Sequence, residues 1–268
     1  MGDKLKNILG DARHYQIVIL AILLSLQLFW ADFGPELNFV LVVLPLICFV
    51  QFVFYKIYRV NSWDLRSAFI SGFSLCILMR SEEIYPYLIA VFIVVASKFL
   101  IRINDKHIFN PANIAIVVCL LLFPNDVWVS PGQWGADVLL ALLLSCLALL
   151  VLSKSDRWDM AIFFLLSFAV LTFGRALWLG DPMDIPIHQM QNGALLIFAF
   201  FMVSDPKTIP DNRWGRLIFA IAVSLLAYTM IYEFRIREAL FYALPIVCVL
   251  GVVIDRCLIG KEFKWSEK

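Results

Sequence analysis

Apolar residues fall into blocks near 15–31, 37–58, 67–79, 84–103, 109–123, 136–153, 159–178, 190–203, 217–232 and 239–257, separated by short polar breaks. A full bilayer crossing takes about 20 apolar residues. The pattern therefore predicts ten helical spans, of which the third and eighth fall short at 13 and 14 residues. These two short blocks end on similar phrases, Met79-Arg80-Ser81-Glu82 and Met202-Val203-Ser204-Asp205. Shortened apolar segments at corresponding places in two halves are what an inverted-repeat membrane protein shows where its helices break around a binding site. The remainder aligns loosely, with Gly72 seven residues before Met79 and Gly193 nine before Met202.

Composition supports a polytopic membrane protein: 62% of the 268 residues are hydrophobic and only 16% charged, against about 25% charged in soluble domains. The net charge of +1 and the lack of a basic run give no sign of a nucleic-acid partner. The six cysteines are scattered through apolar blocks without a C-x-x-C spacing, which suits small apolar fillers rather than an iron–sulfur cluster. His14, His107 and His188 all sit at block ends, whereas a membrane haem wants two facing histidines inside a bundle. Nucleotide-binding and hydrolase fingerprints are missing as well. Lys4, Lys6 and Arg13 ahead of the first block mimic a signal peptide, but no cleavage pattern follows Trp30, so the block is expected to stay as the first span.

Charge in the loops orients the spans, because Lys and Arg prefer the cytoplasmic side. With the N-terminus inside, only Arg80, Arg175, Arg235 and Arg237 of the 22 Lys and Arg residues fall outside. Both termini are then cytoplasmic, as ten crossings require. Five spans per half is an odd number, so the halves run in opposite directions and the repeat is inverted. The expected organisation is all-α: a cytoplasmic segment 1–14, one membrane domain 15–258 with repeats at 15–124 and 136–258, and a cytoplasmic tail 259–268. Trp128 and Trp134 on the outer side, and Trp63 and Trp214 on the inner, read as interface belts.

Several residues are candidates for chemistry, each with a plainer alternative. A helix ending inside a membrane leaves carbonyls unpaired, and irregular backbone persists there only where protein or a water-filled cavity covers it. Ser81, Glu82, Ser204 and Asp205 could complete a polar path at such breaks, or could be interfacial turn residues, with Pro206 ending the helix at Asp205. Asn110 and Pro111, in Phe109-Asn110-Pro111-Ala112-Asn113, suit a helix start. The same asparagines could offer amides to a ligand at a helix N-terminus, whose partial positive charge favours phosphate, carboxylate or a reduced flavin ring. Lys98 could pair a ligand anion or Asp205, or could snorkel to the headgroups. Arg175 reads as an outer-interface anchor.

The stretch from Gly193 to Thr208, GALLIFAFFMVSDPKT, followed by Gly215-Arg216-Leu217-Ile218-Phe219, resembles the second-half signature of the family formed by the D subunits of Rnf complexes, which includes the B subunits of sodium-pumping NADH:quinone reductases. That signature runs from a small residue through FF-[IM]-x-[TS]-D-P-V-T to G-R-L-I-F. Lys98-Phe99-Leu100 and Phe109-Asn110-Pro111-Ala112 resemble the family's lysine and F-N-P-A motif at matching separation. Gly251-Val252-Val253-Ile254-Asp255 resembles the end of its last helix. The likeness covers residues 66–256.

The resemblance implies ten helices in two inverted halves, a urea-transporter-like fold, and a membrane subunit that moves electrons in a complex coupled to sodium or proton movement. It implies partners among other membrane redox subunits, or a flavin-binding protein on the outer face, in a bacterial-type inner membrane. Family members attach a flavin through a threonine in the outer loop between helices five and six. Here that loop, 124–135, has no threonine; Thr172, Thr208 and Thr229 are the only ones in the chain. Covalent flavin is not expected, and Ser130 lacks the surrounding attachment motif. Leu195-Leu196 stands where a polar residue is usual after Gly193. The expectation is noncovalent FMN or riboflavin between the two broken helices, using Lys98, Asn110, Pro111, Gly193, Ser204 and Asp205, with no haem, iron–sulfur cluster or other metal. Two other functions fit the same residues: a small-solute or ion transporter with Asn110, Glu82 and Asp205 lining a path, and a cofactor-less scaffold for a redox or biosynthetic partner.

Overall fold

Nine of the ten apolar blocks form helices in the computed structural model, which describes residues 11–30, 34–60, 64–103, 106–130 and 157–261. The sixth block, with Trp63, Trp134 and residues 131–135 of the 124–135 loop, lies outside the described residues. The helices are α1 (Ala12–Phe29), α2 (Leu37–Ile57), α3 (Arg66–Leu78), α4 (Tyr85–Leu100), α5 (Pro111–Leu122), α6 (Trp158–Leu179), α7 (Asp184–Met190), α8 (Gly193–Ile197), α9 (Arg213–Tyr232) and α10 (Ala239–Cys257). Helices α1, α2, α6, α9 and α10 are long and apolar enough to cross a membrane, whereas α3, α4, α5 and the segment beginning with α8 are shorter apolar helices. The two blocks expected to be short are short, and α4 and α5 join them. The chain is a multi-pass membrane protein.

Asx residues start four of these helices. The side chains of Asp11, Asn110, Asn192 and Asn212 accept from the backbone N–H groups of Arg13, Asn113, Ala194 and Trp214, each satisfying a donor that a helix start leaves orphaned. Pro111 follows Asn110 in the first turn, where no N–H is needed. Pro45 and Pro245 lie inside α2 and α10; neighbouring helices make such interruptions tolerable in a bundle.

Three features depart from the expected all-α plan of simple helices. Short antiparallel ribbons join β1 (Met79–Ser81) to β4 (Val127–Val129), and β2 (Arg102–Ile103) to β3 (Lys106–His107). The short helix α7 occupies what the hydrophobic pattern left as a loop. The eighth block is not one regular helix: α8 widens into a π-helical turn over Phe198–Met202. Turns of this kind are rare and frequent at functional sites.

Contacts divide the chain into two compact units, Met1–Ser130 and Pro131–Glu267. In the first, α1 packs on α3, α2 on α3 and α4, and α5 on α4 and α3. In the second, α9 packs on α6 and α10, and the π turn on α6. The ring of Phe198 seats that turn, 5.4 Å from Phe164 of α6 and 5.6 Å from Phe241 of α10. In each unit, the chain leaving the short helix lies against the chain leaving the unit's last helix. In the first unit that contact is the β1–β4 ribbon. In the second, the Asn212 amide donates to the Ile259 carbonyl, and a Cβ on Gly260 would fall 2.4 Å from the Asn212 nitrogen.

Candidate functional site

The first break follows Leu78. Its carbonyls are accounted for one by one: Leu75 accepts from the Met79 N–H, Cys76 from the Arg80 guanidinium (2.6 Å), and Ile77 from the Gln27 amide (3.2 Å). Leu78 accepts from the Ser130 N–H (2.7 Å), and Met79 from the Tyr87 hydroxyl and Arg80 (both 2.8 Å). Arg80, assigned to an outer loop by charge counting, is buried, because it turns back onto the end of its own helix. Ser81 is half-buried with its hydroxyl accepting from the Glu83 N–H, and Glu82 is exposed.

The start of α5 is the other notable place in this unit. Asn110 and Pro111 are buried, and Asn110 spends its side-chain oxygen on the Asn113 N–H at 3.0 Å. Asn113 itself is 1% exposed, and its Nδ2 has no hydrogen-bond partner among the described residues. An amide left that way costs about 1–3 kcal/mol. A helical side chain leans toward the N-terminus of its helix, so this donor belongs to the capped first turn. Lys98 does not snorkel. It is buried and donates to the Ser67 carbonyl at 2.9 Å and to the Gln51 side chain. Gln51 and the Tyr55 hydroxyl both donate to the Asp64 carbonyl.

Around Asp64 an ion network fastens the start of α1 to the start of α3. Arg13 bonds Asp11 and Asp64, and Arg66 bonds the same two carboxylates. Burial pushes both carboxyl groups up, but the arginine hydrogen bonds and charges outweigh it and hold them below their ordinary 3.8.

In the second unit, Gly193 opens α8 behind the Asn192 cap. At the other end the Ser204 hydroxyl is buried and donates to the Phe200 carbonyl, within the π turn. Asp205 is half-buried, and its carboxylate accepts from the Lys207 N–H while its carbonyl accepts from the Thr208 hydroxyl. The loop that follows is tied down by charge. Arg216 donates to both oxygens of Asp159 and to the Asp211 carbonyl. Arg157 bonds Asp211 and the Lys261 carbonyl, and Asp255 accepts from the Asp211 N–H. Arg175 pairs with Asp181 and lies 4.3 Å from the ring of Tyr232.

The predicted residues thus fall into two sets, Ser81, Glu82, Lys98, Asn110 and Pro111 in the first unit and Gly193, Ser204 and Asp205 in the second. Sequence reasoning missed Arg80, Gln27, Tyr87 and the Asp159–Arg216 pair. Gln27 and Gln51 carried a usable signal, since an amide well inside an apolar span marks either a structural or a functional demand.

The sequence model of the NQR2, RnfD, RnfE family matches residues 129–264, half of the chain. The chain belongs to that family. Its relatives include the D subunit of the ion-translocating oxidoreductase complex of Stutzerimonas stutzeri, 32% identical over 140 residues, and that of Citrobacter koseri, 33% identical over 105. The corresponding protein of Escherichia coli is 29% identical over 104 residues. These alignments take in 50%, 39% and 39% of this chain but only 38%, 25% and 25% of the relatives' own lengths. The matched region holds the broken α8, Ser204, Asp205 and the Arg216 network. The family signature therefore coincides with the elements that brace the second break, while Lys98 and the α5 start precede residue 129.

Proposed function

We propose that this family member is a membrane component of an Rnf-like electron-transport system, built as two inverted five-helix repeats with cytoplasmic termini, which holds FMN or riboflavin noncovalently at the start of α5. The buried Nδ2 of Asn113, without a hydrogen-bond partner among the described residues, carries the flavin assignment. A bound flavin would supply one- and two-electron transfer. The chain's part is to bind and orient it: Asn113 donates to an acceptor on the ring edge, and the positive end of α5 favours the anionic reduced ring. Lys98 adds a buried positive charge to the same unit. The repeat is supported by matched packing, because the pairs α2–α4, α4–α5 and α2–α3 have counterparts in α6–α9, α9–α10 and α6 with the π turn. In the second unit Ser204 and Asp205 form the polar end of the break, the place for a coupling ion, and Ser81 and Glu82 are their outer counterparts. Partners are other membrane redox subunits.

The test is the visible spectrum of the full chain purified in mild detergent, before and after denaturation. Flavin that co-purifies and is released on denaturation, with lower occupancy in Asn113→Leu, supports the reading. A colourless protein that takes up neither FMN nor riboflavin when they are supplied overturns the flavin site, and moves the weight to solute transport or a scaffold.

A further inference from the structure

The end of α3 is unusual in what closes it. Five consecutive carbonyls, from Leu75 to Met79, leave the helix at its negative end, and each accepts a hydrogen bond from the protein. In broken membrane helices, such unwound carbonyls and C-terminal ends are what coordinate monovalent cations. Here two of them, Cys76 and Met79, converge on a single nitrogen, Nη1 of Arg80, at 2.6 and 2.8 Å. That nitrogen is part of a permanent cation. It occupies the point between two carbonyls where a bound ion would sit. Gln27 brings another group to the same end: its Nε2 donates to Ile77, and its Oε1 is buried without a partner among the described residues. The second unit has no such residue, for Val203 stands at the corresponding place in its Met-x-Ser-acidic phrase and Asp205 follows.

We propose that Arg80 is a tethered cation, filling from within the chain the monovalent-cation site that the end of α3 would otherwise form, and so closing this break to free ions. The inference goes beyond the electron-transfer reading and uses first-unit contacts alone, so it stands or falls independently of whether flavin binds. Fixed positive charge at a constriction is a known barrier to cations. It follows that the two breaks are functionally unequal, with the first sealed and the second, at Ser204 and Asp205, left for any coupling ion.

The experiment is thermal unfolding of the full chain in detergent, in sodium, potassium or choline chloride at equal ionic strength, with and without millimolar guanidinium. The wild type sets the baseline in each salt, because an ion bound at Ser204 and Asp205 would shift it and the Arg80 variants alike. Arg80→Ala is expected to unfold about 5 °C lower in choline, and to recover in guanidinium, sodium or potassium. Arg80→Lys keeps a charge at the site and is expected to respond to cation identity no more than the wild type, whereas the neutral Arg80→Gln responds more. Should Arg80→Ala fail to fold, the Lys and Gln pair decides. If the neutral variants respond to cation identity no more than the wild type does, the proposal is wrong.

Discussion

Arg216, in the first turn of α9, donates to both carboxylate oxygens of Asp159, in the first turn of α6 and 57 positions earlier, and both side chains are buried. The same guanidinium reaches the Asp211 carbonyl, so one side chain fixes the starts of two long helices and the loop between the second break and α9. Charge counting placed Arg216 in a cytoplasmic loop. There it neutralises a buried carboxylate.

Breaking one side of this pair strands a buried charge, which costs roughly 3–5 kcal/mol; in Arg216→Met the exposed Arg213, 3.8 Å from Asp159, offsets part of that cost. Asp159→Asn and Arg216→Met are each expected to lower the unfolding midpoint in detergent by about 10 °C. The double variant Asp159→Leu with Arg216→Met, which removes both charges, should recover most of the loss. A double variant no better than the worse single one would show that the pair acts through the Asp211 loop rather than through charge.

The Asp11–Arg13–Asp64–Arg66 network gives stability a defined acid limb. Both carboxyl groups titrate below their ordinary 3.8 in the folded chain. Their contribution is therefore fully present above the unfolded value and is lost as pH falls through the lower, folded one. The wild-type midpoint should hold from neutral pH to about 5 and drop steeply below 4. Asp64→Asn should start lower at neutral pH and fall less over the same acid interval. Parallel wild-type and variant curves would mean that the network does not stabilise the fold.

Much of the helical plan is legible in the sequence because a bilayer demands long apolar blocks. The cap at Asn110 can be read because an Asx side chain before a helix has a local reason to be there. What cannot be read depends on partners distant in sequence. The end of α3 is closed by Gln27, Tyr87 and Ser130, which arrive from α1, α4 and the chain after α5. No local pattern announces them. The π turn is hidden for another reason: Phe-Ala-Phe-Phe-Met is equally apolar whether it winds as an α or a π turn, and the Phe164, Phe198 and Phe241 stack marks its place only in three dimensions. Among the candidate residues, Lys98 stands out in the sequence as a charge in an apolar block, but its bond to the Ser67 carbonyl spans 31 positions and leaves no local trace.

The two Asn-capped short helices offer a graded test. Asn192→Ala and Asn110→Ala should each cost about 1 kcal/mol, and Asn192→Gly only a few tenths. Asn192→Asp should be neutral or slightly stabilising, since a carboxylate also suits the positive end of the helix. Thermal unfolding of the four variants in one detergent checks the order. If Asn192→Ala matches the wild type, α8 is held by its aromatic seat and not by its cap.

Gly260 lies where the chain leaving α10 crosses the loop before α9, and a Cβ there would fall 2.4 Å from both the Asn212 nitrogen and the Asp211 carbonyl carbon. Those are backbone atoms, so no side chain can swing aside to relieve the contact. Gly260→Ala should therefore push the loop away, weakening the Arg157 bond to Lys261 next door, at about 1–3 kcal/mol. Proteolysis between residues 205 and 212 should quicken as a result. Gly174 provides the control: it lies inside α6 with nothing within 4 Å of its would-be Cβ. Gly174→Ala should leave the loop untouched and add about 0.5–1 kcal/mol through helix propensity. Equal protease sensitivity in the two alanine variants would show that the close crossing at Gly260 does not hold the loop that carries Asp205.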